Sequence, residues 1–350
     1  MKKKVAIVGA SGYSGEELVR LLLQHPHVEL TAVTSRHYAG QTVAQVFPKF
    51  AHQPGAKTLR FTEPDAELLA KQAEIIFLAL PHGIAAQYAE PLLGHGAKVI
   101  DLSADFRLRD PNVYTEFYSI DHHAPELVGE AVYGLPEIYR EKIRGAKLVA
   151  CPGCYPTSIL LPLLPLIRER IVEPQSIIAT SLSGVTGAGR KVEADYLFAE
   201  CNESLRPYGV PKHRHLSEIE QELSIVAGEK ITVQFTPHLV PVNRGILSTM
   251  YVRGRRGRAA QDLHAILAKA YAKEPFVHVL PFGQVPHTRH VRGSNMTFIG
   301  LADDRIPGRA IIVSALDNLT KGASGQAVQN MNVMLGYPET MGLTQVALFP

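Results

Sequence analysis

A glycine-rich turn between an apolar run and an amphipathic segment restricts the fold of this chain more than any other feature. Residues 4–8 (KVAIV) predict a β-strand, and residues 16–24 have the leucine spacing of a helix. In the intervening GASGYSG, glycines let backbone N–H groups approach a pyrophosphate at a helix N-terminus. The spacing departs from the commoner G-x-G-x-x-G, and the alternative is a plain strand-to-helix turn. In this context we predict a dinucleotide site formed by Gly9, Ser11, Gly12, Tyr13, Ser14 and Gly15.

The end of the second predicted strand indicates which dinucleotide binds. An Asp or Glu at this point would bind a free ribose 2′-hydroxyl, but the strand ends in Thr34-Ser35-Arg36. A cation with neighbouring hydroxyls favours a 2′-phosphate, so we expect NADP(H), bound by Ser35 and Arg36. The alternative is that Arg36 is an ordinary exposed side chain.

The order of apolar runs predicts two domains of different type. In the first half, strands at 30–33, 75–80, 98–102 and 147–150 alternate with helices at 66–72 and 84–93, which is typical of a doubly wound parallel sheet of Rossmann type. Later strands at 176–183, 231–235, 246–252, 296–301 and 310–316 are joined by turns, which favours an α+β domain with a mainly antiparallel sheet. The helical pattern at 325–335 should return to the first domain. We therefore predict a dinucleotide-binding domain of 1–153 with 322–350, and a catalytic and oligomerisation domain of 154–321.

Composition limits the partners and the compartment. The 350 residues carry a net charge of only +3 and no long basic block, so a phosphate-bearing small molecule is a more natural partner than nucleic acid. No stretch reaches membrane-spanning length, and the basic start (MKKK) precedes too short an apolar run for a signal peptide. Three cysteines without an export signal favour a reducing compartment, and we expect the cytoplasm.

Two of the cysteines lie three residues apart in CPGCYPT. A zinc site would need a second pair, and a thioredoxin-like dithiol would be expected early in a small domain. Cys151 follows the apolar run 147–150 and should behave as a small buried hydrophobe. Cys154 follows a Pro-Gly turn and precedes a helical pattern, so it should lie at a helix N-terminus, which favours the nucleophilic thiolate.

A cysteine nucleophile needs a proton-transfer partner, and the segment PKHRHLSEIE holds the best candidates. His213 and His215 precede or begin a predicted helix, and Glu218 could fix an imidazole tautomer. The alternative is a solvated charged loop. The segment SLSGVTGAGRK, which ends in Arg190 and Lys191, could bind an anion or be a flexible hairpin loop.

The chain resembles the N-acetyl-γ-glutamyl-phosphate reductases of arginine biosynthesis, which are related to the aspartate-semialdehyde dehydrogenases. The resemblance runs nearly end to end. Two departures are Ser217, where proline is usual before the glutamate, and Asn243-Arg244, where Thr-Arg is familiar. The motifs that carry it are GASGYSG (9–15), SADFR (103–107), YGLPE (133–137), PGCYPT (152–157), SGVTGAGR (183–190), KHRH (212–215), PHLVPVNRGIL (237–247), VRGSN (291–295) and DNLTKGASGQAVQNMN (317–332).

The resemblance implies NADPH-dependent reduction of N-acetyl-γ-glutamyl phosphate to the semialdehyde, with phosphate release. It implies that Cys154 forms the thioester and that a histidine of KHRH is the acid/base, for which we rank His213 before His215. A homo-oligomer, dimer or tetramer, is also expected. The alternatives are reduction of another acyl phosphate, as in aspartate-semialdehyde dehydrogenase, and a dinucleotide-sensing protein without catalysis. The expected substrate contacts are Ser103, Arg107, Arg190, Lys191 and His215, and further cofactor contacts are Gly187 and Asn318, with Gly322 beside the nicotinamide.

Overall fold

The computed structural model describes residues 2–190 and 192–349, which divide into two compact units. The first contains the chain up to Pro152 together with Ala323–Thr344, and the second contains Gly153–Gly322 and the segment from Gln345 onwards. The first domain is predicted from sequence to contain 1–153 and 322–350. Gly153, Gly322 and residues 345–349 instead group with the second unit, where the Leu348 N–H donates to the Arg292 carbonyl (3.0 Å).

The sheet of the first unit has seven strands in the order β3-β2-β1-β4-β5-β7-β6, and their pairings are parallel. This order confirms the predicted Rossmann-type sheet. Because the strands are parallel, the turns after β1, β2 and β5 emerge at the same edge. The strands are β1 (Lys3–Val8), β2 (Val28–Thr34), β3 (Phe61–Thr62), β4 (Ile75–Leu78), β5 (Lys98–Asp101), β6 (Val132–Tyr133) and β7 (Leu148–Ala150).

Helices cover this sheet, and the helix that returns after the second unit is one of them. That helix, α11 (Gly325–Leu335), contacts α1, α6 and β5, as predicted. Its polar residues are buried as well as its apolar ones: Asn330 Nδ2, for example, donates to the Gly134 carbonyl (2.9 Å). The other helices of the unit are α1 (Tyr13–Leu22), α2 (Val43–Val46), α3 (Ala66–Gln72), α4 (Ala85–Gly94), α5 (Pro111–Tyr118) and α6 (Pro136–Arg144).

The second unit also contains a seven-stranded sheet, in the order β12-β13-β14-β11-β8-β10-β9. Four of its pairings are antiparallel, and the pairings β8–β10 and β12–β13 are parallel, so the predicted mainly antiparallel sheet is confirmed. The strands are β8 (Ile178–Gly184), β9 (Arg206–Pro207), β10 (Gln234–Val240), β11 (Ile246–Arg253), β12 (Val277–Val279), β13 (Thr297–Asp303) and β14 (Arg309–Leu316).

One helix of this unit, α7 (Cys154–Arg168), is buried from Tyr155 to Ile167 and contacts β11, β14 and the helices α9 and α10. Pro165 has no N–H to donate to the Leu161 carbonyl, and the Tyr271 hydroxyl donates to that carbonyl instead. The sheet also binds the helix, because the Ser158 and Ser248 hydroxyls share a hydrogen bond (2.6 Å). These contacts fix the helix whose first residue is Cys154. The other helices are α8 (Phe198–Cys201), α9 (Arg214–Ala227) and α10 (Ala260–Tyr271).

Candidate active site

The glycine-rich turn lies after β1 and leads directly into α1. Gly9 has a positive φ (+84°), and a Cβ atom there would lie 2.5 Å from the Ala79 carbonyl oxygen. A Cβ atom at Gly15 would lie 2.3 Å from the Gly9 carbonyl oxygen. Both positions therefore require glycine. The turn brings Gly12 to the N-cap of α1 and places Tyr13 and Ser14 in its first turn, where backbone N–H groups favour an anion.

A cavity of about 320 Å³ opens beside this turn. The Ser11 and Ser35 hydroxyls share a hydrogen bond (2.9 Å), and Arg36 is exposed at the cavity. The opposite part of the lining is mostly apolar. The pocket thus combines a glycine turn, a cation and an apolar wall, and it is lined by Val8, Gly9, Ser11, Gly12, Thr34, Ser35, Arg36, Pro64, Ala79, Leu80, Pro81, Ile84 and Tyr88.

The two cysteines of CPGC have different surroundings. Cys151 follows β7 and is 1% exposed, and burial raises the pKa of its thiol to about 12. Its sulfur accepts a hydrogen bond from Asn330 Nδ2 (3.6 Å). Cys154 is the first residue of α7 and is half-buried, which confirms its predicted position. Neither cysteine forms a disulfide, and within residues 2–190 and 192–349 no cluster of His, Cys, Asp or Glu is suited to a metal ion.

His215 and Glu218 of α9 both reach Gly153, the N-cap residue of α7. A Cβ atom at Gly153 would lie 2.6 Å from His215 Nε2, so the imidazole packs directly on this glycine. The Glu218 carboxylate is buried and accepts the Gly153 N–H (2.9 Å). Glu218 lies in the second turn of α9. The two side chains are therefore adjacent to the residue that precedes Cys154.

His213 lies in a different environment, which disfavours it as the proton-transfer group. It is the N-cap of α9, and its Nδ1 accepts the backbone N–H of His215 (3.1 Å). Its ring makes edge-to-face contacts with Tyr155, Tyr208 and Phe235. Burial, with a smaller effect of Arg214, lowers the pKa of His213 to about 4. His215 is thus the histidine that packs on the residue before Cys154, and which of the two histidines is the acid/base stays a prediction.

The SADFR segment after β5 forms an internal network in the first unit. The Ser103 hydroxyl donates to Asp101 (2.7 Å) and accepts the Asp105 N–H (3.0 Å). Arg107 is 8% exposed and donates from Nε to the Cys151 carbonyl (2.7 Å) and from Nη2 to the Leu102 carbonyl (2.9 Å). Arg107 thus joins the segment after β5 to Cys151, the first residue of CPGC. Substrate contacts of Ser103 and Arg107 stay predictions.

The segment 183–190 and the turn after β14 meet in the second unit. Asn318 donates from Nδ2 to Thr186 Oγ1 (2.9 Å) and accepts the Gly245 N–H (2.8 Å). Gly187 lies in a 3₁₀ turn, Val185–Ala188, where a Cβ atom would be 2.9 Å from Ser183 Oγ. Arg190 is exposed, and Lys191 lies outside the described residues. Asn318 therefore binds the segment 183–190 through Thr186. Cofactor contacts of Asn318 and Gly187 stay predictions.

Several residues that make structural contacts near these segments were not identified from the sequence. The Tyr208 hydroxyl donates to the Tyr155 hydroxyl (2.9 Å), and Asp105 caps α4 by accepting the Gly83 and Ala86 N–H groups. Arg244 and Asp317 form an ion pair (2.9 Å). Asp105, Arg244 and Asp317 lie in motifs that carry the family resemblance, which is the available signal for them, whereas Tyr208 lies outside those motifs.

Comparisons with known proteins agree with the fold described above. Residues 4–146 match the family profile "Semialdehyde dehydrogenase, NAD binding domain", and residues 154–318 match "Semialdehyde dehydrogenase, dimerisation domain". Among solved structures, aspartate semialdehyde dehydrogenase II from Vibrio cholerae is 19% identical with a TM-score of 0.73, covering 96% of this chain and 99% of that one. The enzyme from Candida albicans, solved with NADP, is 18% identical with a TM-score of 0.70 and the same coverage. These structures share the fold.

Sequence relatives are closer. The N-acetyl-γ-glutamyl-phosphate reductase of Afipia carboxidovorans is 56% identical over 99% of both chains. The reductase of Akkermansia muciniphila is 54% identical over 97% of this chain and 98% of its own, and that of Moorella thermoacetica is 53% identical over 99% of both. No described helix is long and apolar enough to cross a bilayer. The chain belongs to the N-acetyl-γ-glutamyl-phosphate reductase family of semialdehyde dehydrogenases.

Proposed function

We propose that this protein reduces N-acetyl-γ-glutamyl phosphate to N-acetyl-glutamate semialdehyde in arginine biosynthesis, with NADPH as reductant and release of phosphate. The observation that carries the proposal is the half-buried Cys154 at the start of α7, with the His215 imidazole packed on the preceding glycine. Relatives of that name at 53–56% identity over nearly the full length support the choice of substrate.

The chemistry begins at Cys154. Its thiolate attacks the acyl carbon, the C–O bond to phosphate breaks, and an enzyme thioester remains. The N-terminus of α7 favours the anionic form of the sulfur because the helix dipole is positive there. Cys151 takes no part, because a buried thiol whose pKa is raised to about 12 stays protonated at neutral pH.

His215 is the proposed acid/base, in place of His213. It protonates the oxyanion as the thioester is reduced and takes this proton back when the thiohemiacetal collapses, which breaks the C–S bond and releases the aldehyde and the Cys154 thiolate. Glu218 acts as a positioning residue, because its carboxylate holds the Gly153 N–H under the His215 ring. For the departing phosphate we propose Arg190 and Lys191, with Ser103 ordering the segment after β5 and Arg107 joining that segment to Cys151.

The dinucleotide fits the first unit. The turn has no room for a side chain at Gly9 or Gly15. Ser35 and Arg36 line the neighbouring cavity, where a 2′-phosphate would bind. When bound, NADPH would supply the hydride for the thioester. Gly187 and Asn318 are proposed to contact the nicotinamide half of the same cofactor.

Arg36→Ala is expected to lower the preference for NADPH over NADH by about tenfold to a hundredfold, since a charge-assisted hydrogen bond to phosphate is lost. The measurement is kcat/KM with each cofactor. Lys57→Ala, which removes an exposed cation of the same unit away from the cavity, is the matched control. Equal loss with both cofactors would show that Arg36 does not bind the 2′-phosphate.

The function itself is tested with purified protein and synthetic N-acetyl-γ-glutamyl phosphate, or in reverse with the semialdehyde, phosphate and NADP⁺. We expect oxidation of NADPH with one phosphate released per turnover. β-Aspartyl phosphate is the comparison substrate, because the fold is shared with aspartate-semialdehyde dehydrogenases. A higher kcat/KM for β-aspartyl phosphate would overturn the proposed substrate.

We further propose that the protein forms a homo-oligomer, a dimer or tetramer, in the cytoplasm. The match of residues 154–318 to a dimerisation domain supports the first point. Three cysteines without a disulfide are consistent with a reducing compartment.

A further inference from the structure

An ion pair joins Arg244 and Asp317 in the second unit, and neither residue takes part in the proposed mechanism. Arg244 donates from Nε (2.9 Å to Oδ2) and from Nη2 (3.0 Å to Oδ1). The Asp317 side chain is completely buried, and that of Arg244 is 20% exposed. Because two donors of one guanidinium bind one carboxylate, the pair has a fixed orientation as well as a fixed distance.

The same carboxylate also folds the turn that follows β14. It accepts the N–H groups of Leu319 (2.8 Å) and Thr320 (3.1 Å), and the Asp317 carbonyl accepts the N–H of Gly322 (2.9 Å). The Gly293 N–H (2.7 Å) supplies a further bond from another loop. The buried charge is therefore distributed over a guanidinium and three backbone donors, and the turn closes on itself.

The far end of this turn touches the nucleophile. A Cβ atom built on Gly322 would lie 2.8 Å from Cys154 Cβ, so the backbone of the turn packs directly against that side chain. Only glycine permits this approach. The position of Gly322 is set through its bond to the Asp317 carbonyl, and the Cys154 side chain is thereby confined on one side.

A second connection runs to the segment 183–190. Asn318 follows Asp317 directly and joins Thr186, whose hydroxyl donates to the Asn243 carbonyl (2.6 Å). Asn243 and Gly245, which also bonds to Asn318, flank Arg244. One ion pair thus connects the turn beside Cys154 with the loop that we propose for the phosphate.

We propose that Arg244 and Asp317 are positioning residues, which hold the 317–322 turn so that Cys154 and the 183–190 loop keep their reactive arrangement. The inference rests on the proposed function insofar as Cys154 is the nucleophile. Loss of Arg244 would leave a buried carboxylate without its cation, and such a charge is stable only if the turn rearranges or water enters. Either change moves Gly322 relative to Cys154.

The test compares Arg244→Gln and Arg244→Lys with the wild type. We expect Arg244→Gln to lower kcat about 10²-fold, as for small misplacements of a reacting group. Arg244→Lys should recover part of this loss, because it restores the charge but not the two-point contact. The rate of iodoacetamide labelling of Cys154, read on its peptide by mass spectrometry, should be lowest in Arg244→Gln and intermediate in Arg244→Lys.

Arg140→Gln is the matched control, because it breaks a partly buried ion pair with Glu339 in the first unit. It should lower the unfolding temperature without changing Cys154 labelling or kcat. If Arg244→Gln behaves like this control, the pair is only structural and the inference is overturned. Should Arg244→Gln fail to fold, Thr186→Val tests the second connection: we expect a raised KM for the acyl phosphate, and an unchanged KM contradicts the proposal.

Failure of the proposed function would give a different result. If Cys154→Ser turned over normally, Cys154 would not be the nucleophile. Peptide-level labelling of Cys154 in the Arg244 variants would still report whether the ion pair controls this side chain. The two hypotheses are therefore separable in one set of variants.

Discussion

Cys154→Ser should abolish turnover, whereas Cys151→Ser should keep most of it. Cys154 begins α7, where an anion is stabilised, and a serine hydroxyl stays protonated at neutral pH and is a weak nucleophile. Cys151 is buried, and the pKa of its thiol is raised to about 12, so it supplies no thiolate. Steady-state kinetics measure the turnover of each variant. Mass spectrometry after mixing with substrate, without cofactor, shows whether each variant forms the thioester.

Cys201→Ser is the control for cysteine replacement, because Cys201 lies in the short helix α8. We expect it to be fully active and to form the thioester. Equal loss of activity in the Cys151 and Cys154 variants, with circular dichroism unchanged, would indicate a dithiol pair and contradict the proposed mechanism.

His215→Asn should lower kcat by about 10²–10⁴-fold, the usual contribution of general acid–base catalysis, with little change in substrate KM. The imidazole packs on Gly153, beside the nucleophile, and the proton it carries is needed only after the substrate has bound. In the Cys154→Ser enzyme, His215→Asn should lower kcat little further, because the effects of groups that act as a unit are not additive.

His213→Asn is the companion variant. Asparagine can itself cap α9, but it lacks the ring that packs against Tyr155 and Tyr208. The replacement should therefore lower the unfolding temperature and leave kcat nearly unchanged. A larger kcat loss in His213→Asn than in His215→Asn would return the role to His213. A small loss in both would exclude the KHRH segment from the chemistry.

The sequence was sufficient for features that depend on local pattern. The alternation of apolar runs and helical segments predicted the parallel sheet, and the bounds of α3 and α11 agree with the prediction. Cys154 could be placed at a helix start because Pro-Gly precedes it and an apolar helical pattern follows. Such features need no knowledge of distant contacts.

Features that depend on distant contacts were less predictable. The strand predicted at 231–235 lies at Gln234–Val240, where pairing with β8 sets its bounds, and α10 was not predicted. The ranking of His213 and His215 as acid/base stays a prediction. Both histidines fit the same motif, and the approach of α9 to α7 shows that the His215 ring lies on Gly153. The Arg244–Asp317 pair joins residues 73 positions apart, which no local pattern shows.

The return of α11 to the first unit has a consequence for the order in which the chain folds. On the ribosome, residues up to Pro152 emerge before Gly153–Gly322 of the second unit, and α11 emerges after them. Until then the surface that α1, α6 and β5 present to α11 is uncovered, and the Gly134 carbonyl lacks its bond from Asn330. Nascent chains must therefore keep this surface from aggregation while Gly153–Gly322 is synthesised. The nucleotide-binding unit, although it begins the sequence, is completed only after most of the second unit has been made.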